Sequence, residues 1–147
     1  MAEGDAVALS TKTGLAGEFI CAAAILGLEG DWTVVHAPQD RFDLLAINSE
    51  DNLMLKVQVK TSSILTKGDR NPYYHHQNGH GCKNKKLPSP KEMDIIAHVF
   101  FNHRRVAFFA TEKMQQFSKR YSVRYPDTPD LEQDTWDRAV QIVQERI

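Results

Sequence analysis

The alternation of hydrophobic and polar positions changes character several times along the chain. Residues 42–48 (Phe-Asp-Leu-Leu-Ala-Ile-Asn) and 53–60 (Leu-Met-Leu-Lys-Val-Gln-Val-Lys) predict two strands. Ser49-Glu50-Asp51-Asn52 joins them, and side chains of these types favour turns by bonding back to the local backbone. With a period of two, Leu53, Leu55, Val57 and Val59 share one face of the second strand, and Met54, Lys56, Gln58 and Lys60 share the other. Before this hairpin, Leu15, Phe19, Ala22, Ala23 and Leu26 recur at helical spacing and predict a helix. Ser10 or Thr11 caps it, Gly27 and Gly30 end it, and residues 1–9 read as a weakly ordered lead-in. Residues 32–36 predict a short strand, and Pro38 stops it. From 63 to 90 the periodicity is lost in a long basic loop punctuated by Gly68, Pro72, Gly79, Pro88 and Pro90. Residues 95–101 and 106–110 are β-rich, with a helical start at 89–92 before them. Residues 113–119 predict a short helix. Residues 130–147 predict an amphipathic helix that buries Leu131, Trp136, Ala139, Val140 and Val143.

The 147 residues suit a single domain, 1–147, with a real core. The net charge of −1 announces no polyanionic partner, but its distribution is uneven. Seven Lys or Arg fall between Lys60 and Lys91, whereas acids outnumber bases from Asp127 onward. This allows a basic face on a neutral molecule. Two cysteines make no disulfide framework and fit a reducing compartment. No apolar run approaches the ~20 residues of a membrane span, and no signal-peptide pattern is seen. The expectation is a cytoplasmic protein with no membrane association.

The hairpin can bring Asp43, Gln58 and Lys60 into one small volume, and Glu18 lies on the helix before it. Carboxylate and amide oxygens suit a hard divalent cation such as Mg²⁺. There is no Gly-x-Ser-x-Gly elbow for acyl transfer and no glycine loop of the nucleotide-binding types. Each residue also has a plainer reading. Gln58 and Lys60 fit a solvated edge face, Glu18 a surface helix position and Asp43 a turn. His75, His76, His80 and Cys82 invite a zinc site, but their spacing matches no familiar motif; a polar loop or contacts to DNA phosphates are the alternatives. Asp94 reads as a structural cap, Arg104 and Arg105 as a solvated turn, and Trp32 and Trp136 as core.

Taken in order, Gly14, Gly17 and Glu18, then Phe42-Asp43, then Gln58-Val59-Lys60-Thr61, Tyr73-Tyr74 and Asp94-Ile95-Ile96-Ala97 resemble the PD-(D/E)xK nuclease superfamily. Within it, the small intron-associated and phage homing endonucleases with a Gln-x-Lys motif are the nearer likeness. The resemblance spans about residues 13 to 112. It implies an α/β, restriction-endonuclease-like αβββαβ core with a central mixed sheet flanked by helices. It also implies Mg²⁺-dependent, site-specific hydrolysis of double-stranded DNA, with Mn²⁺ able to substitute. The implied catalytic residues are Glu18, Asp43, Gln58 and Lys60, with Lys60 positioning the attacking water. The implied metal ligands are Asp43, Gln58, the Val59 carbonyl and Glu18. With the basic loop, the implied DNA contacts are Thr61, Ser62, Lys67, Arg70, Tyr74, Lys83, Lys85 and Lys86. A homodimer or homotetramer in a bacterial or phage-infected cell follows, with the final helix or the 95–110 hairpin as interface. A Holliday-junction resolvase, a repair-type nuclease and a catalytically silent DNA-binding member remain alternatives. The chain departs from the pattern at Phe42, which replaces the usual Pro, and at the neutral Gln58.

Overall fold

In the computed structural model, the residues described are 3–37, 42–68, 71–79 and 86–146, with only the backbone for 3–10. The chain order is helix α1 (Glu3–Leu26) and strands β1 (Trp32–His36), β2 (Leu44–Asn48), β3 (Leu53–Ser62), β4 (Tyr73–Gln77), β5 (Ile95–Phe100), β6 (Arg105–Ala110) and β7 (Ser118–Ser122), closed by helix α2 (Leu131–Gln144). Five strands form one mixed sheet in the order β1-β2-β3-β5-β6, and β4 pairs with β7 in a separate two-stranded ribbon. Strands β1, β2 and β3 run antiparallel in succession, β3 and β5 are parallel, and β5 and β6 are antiparallel. Asn52 adopts φ 53° in the turn before β3, as its short polar side chain permits. Parallel neighbours need a long crossover. Among its described residues it carries β4, and the helix that an αβββαβ order places there is not among them.

The sheet has two covered faces. Leu55, Val57 and Val59 of β3 join Ile95, Ala97 and Val99 of β5 in a core with Cys21, Ala22 and Ile25 of α1 and Trp136 and Ala139 of α2. Trp32 and Phe108 each meet the Trp136 ring edge-on at 4.9 Å. On the other face, Tyr74 and Tyr121 of the ribbon pack with Phe100 and Ala107. At the β6 edge of the sheet, α2 satisfies outward-facing donors: Val106 N–H donates to Glu132 Oε2 at 2.9 Å and Phe108 N–H to Thr135 Oγ1 at 3.0 Å. That edge is closed to strand addition. Among the described residues, no helix is long and apolar enough to cross a membrane.

Several expectations change. The first helix begins at Glu3, inside the stretch read as a lead-in. Its stripe of Leu15, Phe19 and Leu26 is exposed, and Gly17, Cys21, Ala22 and Ile25 face the sheet instead. Apolar residues surround this helix, so spacing alone did not choose the buried face. The small side takes it because the sheet approaches closely there. Residues 89–92 form a turn, with Glu92 and Met93 N–H both donating to Ser89 C=O, and no helix follows. The expected helix at 113–119 is a 3₁₀ turn, Thr111–Lys113, leading into β7. Arg105 is not a solvated turn residue. Its guanidinium grips the Glu132 carboxylate bidentately at 2.8–3.1 Å. As an interface candidate the 95–110 hairpin is unsuited along β5, whose residues are all buried.

Candidate active site

Two local features gather the acids. The first is the close approach of α1 to β3. A Cβ on Gly17 would lie 1.8 Å from Thr61 Oγ1, so only glycine permits this crossing, and the next residue is Glu18. The second is a mismatch of strand lengths. Pairing between β2 and β3 ends at Leu44 with Val57, while β3 runs on to Ser62. Asp43 sits at that break. Its N–H donates to Val57 C=O, its C=O accepts from Ala37 N–H, and its Oδ2 accepts from Val59 N–H, each at 2.9 Å. The carboxylate thus takes over the ladder where the strand stops supplying carbonyls.

Glu18 is hydrogen-bonded to Asp43. Its carboxyl is pushed up to about 7, first by burial, then by the Asp43 charge and by that bond. Burial raises the Cys21 thiol as well, and the charges of both acids add to it. Gln58 and Lys60 alternate with Val57 and Val59, whose side chains are in the core under α1. They therefore leave β3 on the side away from α1, partly buried. Lys60 is in register with His98, and its charge helps to keep that buried imidazole neutral. An open groove of about 520 Å³ wraps the end of β3, from Thr13 and Gly14 of α1, past Lys60 and Thr61, to His75 and Gln77 of β4. The acids and the Gln-x-Lys pair thus meet at one end of β3.

The donors fit a hard cation in kind, since Asp43 and Glu18 are carboxylates and the Gln58 amide and Val59 carbonyl are neutral oxygens. Among the described residues no group of three His, Cys, Asp or Glu is gathered. The charge available to a cation is that of two carboxylates.

The expected DNA contacts fall into three groups. Lys67 and Lys86 are exposed, and Thr61 lines the groove. Tyr74 is taken into the core, and Ser62, though it lines the groove, is largely buried. Ser62 is buried, its hydroxyl donating to Ser63 C=O and accepting from His75 N–H at 3.2 Å, which ties the ribbon to β3. Tyr74 is fully buried against Phe100, its hydroxyl 2.6 Å from His103 Nδ1. Arg70, Lys83 and Lys85 lie outside the described residues, as do His80 and Cys82 of the zinc reading. That reading also loses His76, which points into the core while His75 points out.

His76 instead stacks on His98 at 4.4 Å in a buried polar network that the sequence reading missed. Asn78 Nδ2–H donates to Gln116 C=O, which leaves its Oδ1 to accept from His98 Nε2–H; His98 Nδ1 then accepts the Tyr121 hydroxyl at 2.7 Å. His76 Nε2–H donates to Val99 C=O. Both rings are neutral, and burial holds His76 down at about 4. One signal was available: His98 interrupts an otherwise apolar strand, where a polar side chain must find partners.

No protein-family model matches the chain, and no curated protein matches it. Among solved structures the chain is similar to that of a bacterial homing endonuclease, I-Ssp6803I. The TM-score is 0.62 over 92% of this chain and 93% of that one, at 17% sequence identity. At that identity the likeness is one of fold: an α/β, restriction-endonuclease-like architecture built on a mixed five-stranded sheet.

Proposed function

We propose that this protein is a divalent-metal-dependent DNA endonuclease, site-specific in the manner of homing endonucleases, that hydrolyses phosphodiester bonds of duplex DNA. One observation carries the reading. Two carboxylates, Asp43 and Glu18, are held against each other at the broken end of a strand ladder, beside the strand that carries Gln58 and Lys60. Two acids in contact are costly to a folded chain unless a proton or a cation joins them. The nuclease-like fold adds to this support.

Asp43, Glu18, the Gln58 amide and the Val59 carbonyl would hold the cation. When bound, Mg²⁺ or Mn²⁺ supplies positive charge to the scissile phosphate and acidity to a neighbouring water. The chain does the rest. The Val59 N–H fixes the Asp43 carboxylate, and the Gly17 crossing fixes Glu18 beside it. Lys60 offers an ammonium that orients water or offsets charge on the phosphate. Two copies of the chain would cut the two strands.

The test is cleavage of the DNA flanking this protein's own gene, and of supercoiled plasmid, with Mg²⁺. The wild type is expected to cut, and Asp43→Ala and Lys60→Ala to lose cutting while still binding. Equal cleavage by all three would remove the site from these residues. A second reading, a catalytically silent DNA-binding member, draws on the small number of gathered acids. A wild type that binds DNA and never cuts it under these conditions would select that reading.

A further inference from the structure

The ribbon of β4 and β7 has two unlike faces. Tyr74, His76 and Tyr121 turn inward and are buried. The outer face presents Tyr73, His75 and Gln77 from β4 and Ser118, Arg120 and Ser122 from β7. Register pairs them across the ribbon: Tyr73 with Ser122, His75 with Arg120, and Gln77 with Ser118. Every one of these side chains carries a hydrogen-bonding group, and none is aliphatic. Arg120 lies over the Tyr73 ring at 5.0 Å, which orients its guanidinium.

We propose that this outer face enters the major groove of duplex DNA and reads base edges, with Arg120, Gln77 and His75 as specificity-determining residues. The inference rests on the nuclease reading for its choice of DNA as ligand. Three observations carry it. The major groove is about 12 Å wide and admits a two-stranded ribbon. Along such a ribbon, same-face pairs recur every ~6.7 Å, close to two base-pair steps of ~3.4 Å each, so the three pairs can meet alternate base pairs over about five. Second, the chemistry is that of base readout. Arginine matches guanine bidentately and glutamine matches adenine, whereas binding through phosphates alone needs many cations, and this face carries one guanidinium. Third, the position is right. His75 and Gln77 line the same groove as Lys60 and Thr61, and the His75 N–H bond to Ser62 Oγ fixes the ribbon to the end of β3. A duplex seated on the candidate site would meet the ribbon's outer face.

The experiment selects bound sequences from a duplex pool with a randomised 20-base-pair core. It uses the full-length chain in EDTA, so that no cleavage intervenes, and follows with anisotropy titrations on the selected duplex. The wild type is expected to enrich one sequence. Arg120→Lys, which keeps the charge and loses the fork, and Gln77→Ala are each expected to lose about 5- to 150-fold of discrimination at one or two base pairs. Their affinity for unselected duplex is expected to stay within about twofold, with an unchanged salt slope. Lys67→Ala should weaken all sequences alike and flatten that slope. The proposal is overturned if both ribbon variants keep the wild-type preference, if the wild type enriches no sequence, or if it prefers single strands or RNA duplex. Adding Mg²⁺ separates the two readings. A selected duplex bound through Arg120 but not cut sinks the nuclease reading alone, and a duplex cut by both ribbon variants with unchanged preference sinks the ribbon proposal alone.

Discussion

Two aspartates stand in nearly the same relation to β3 and are treated in opposite ways. Asp43 precedes β2 and Asp94 precedes β5, the two strands that flank β3. Each donates its N–H to a β3 carbonyl, and each carboxylate accepts a β3 N–H at 2.9 Å, from Val59 and Lys56 respectively. There the likeness ends. Asp94 is neutralised by Arg146, at 2.7 Å, and Arg146 also holds Glu112. Asp43 is met by Glu18, a second acid. A strand start needs an acceptor for the orphan N–H, and either arrangement supplies one. Only the first is what stability alone would choose. The excess negative charge beside Asp43 needs another explanation, and a cation is the simplest.

Exchange for asparagine should separate the two positions most widely. Asp43→Asn keeps an oxygen for the Val59 N–H and removes the repulsion with Glu18. Stability is expected to hold or rise by up to ~1 kcal/mol, while cleavage falls by about a thousandfold, ~4 kcal/mol in the barrier. Asp94→Asn removes one of the two carboxylates that Arg146 bridges. Stability should fall by about 1–3 kcal/mol, and cleavage per folded molecule should stay near wild type. Urea midpoints and single-turnover cleavage read the two effects separately. Equal destabilisation at both positions would erase the distinction drawn between them.

The next largest effect belongs to the crossing that delivers Glu18. Gly17→Ala places a methyl on Thr61 and must push α1 away from β3. We expect about 1–3 kcal/mol of destabilisation, with cleavage falling by roughly 10- to 100-fold because Glu18 moves with the helix. Adding Thr61→Gly removes the clashing atoms and should recover much of the stability. No comparable rescue exists for Asp94→Asn, since no packing contact is at fault there. Thermal melts of the single and double variants check this.

These contrasts also show what the sequence could carry. The hairpin at 42–62 and α2 were legible because each has one aliphatic face at its own period, and β5 and β6 because each is a short, nearly continuous apolar run rich in β-formers. Asp43 and Glu18 were legible through their order along the chain. The buried face of α1 was not, because large apolar residues surround it and the choice was made by Gly17 against Thr61, a long-range contact. The ribbon was hidden for a different reason. Tyr-Tyr-His-His-Gln and Ser-Lys-Arg-Tyr-Ser fill their inner side with Tyr and His instead of aliphatics, and each pairs with a strand far away in sequence. Tyr74 therefore passed for a surface aromatic and His76 for a loop ligand. Gln58 stands out in the sequence as the departure from pattern, and it lies partly buried on β3.

Gln58→Glu tests that departure and should act less strongly. A third carboxylate raises the charge available to a cation, so the Mg²⁺ concentration for half-maximal cleavage is expected to fall about three- to tenfold. Without Mg²⁺ the same variant should be less stable than wild type, by roughly 0.5–1 kcal/mol, since it adds a like charge near the first two. A variant with unchanged Mg²⁺ dependence would place Gln58 outside the reach of the cation.

The smallest effect, and the one that compares the two regions without touching the reaction, is the pH dependence of stability. Glu18 titrates at about 7 in the folded chain against an ordinary 4.5, so folding takes up a proton between those values. Its contribution to stability is present at low pH and lost as pH rises through about 7. Glu112, held below its ordinary value by the Arg146 hydrogen bond, behaves in the reverse way: its contribution is present above 4.5 and lost as pH falls through the lower folded value. His76, neutral in the core with a folded value of about 4, also favours higher pH, its contribution being lost as pH falls from 6.5 toward 4. Glu18 therefore opposes Glu112 and His76. Its effect is modest because the carboxyl is partly exposed and screened by water and salt. The difference in denaturation midpoint between wild type and Glu18→Gln isolates it. The wild type should lose ground from about pH 5 to 7 and level off above that without Mg²⁺. With Mg²⁺ present that loss should disappear or reverse, because the ionised pair then gains a counter-charge. A difference curve that Mg²⁺ leaves unmoved would mean that the two acids face each other for some reason other than holding a cation.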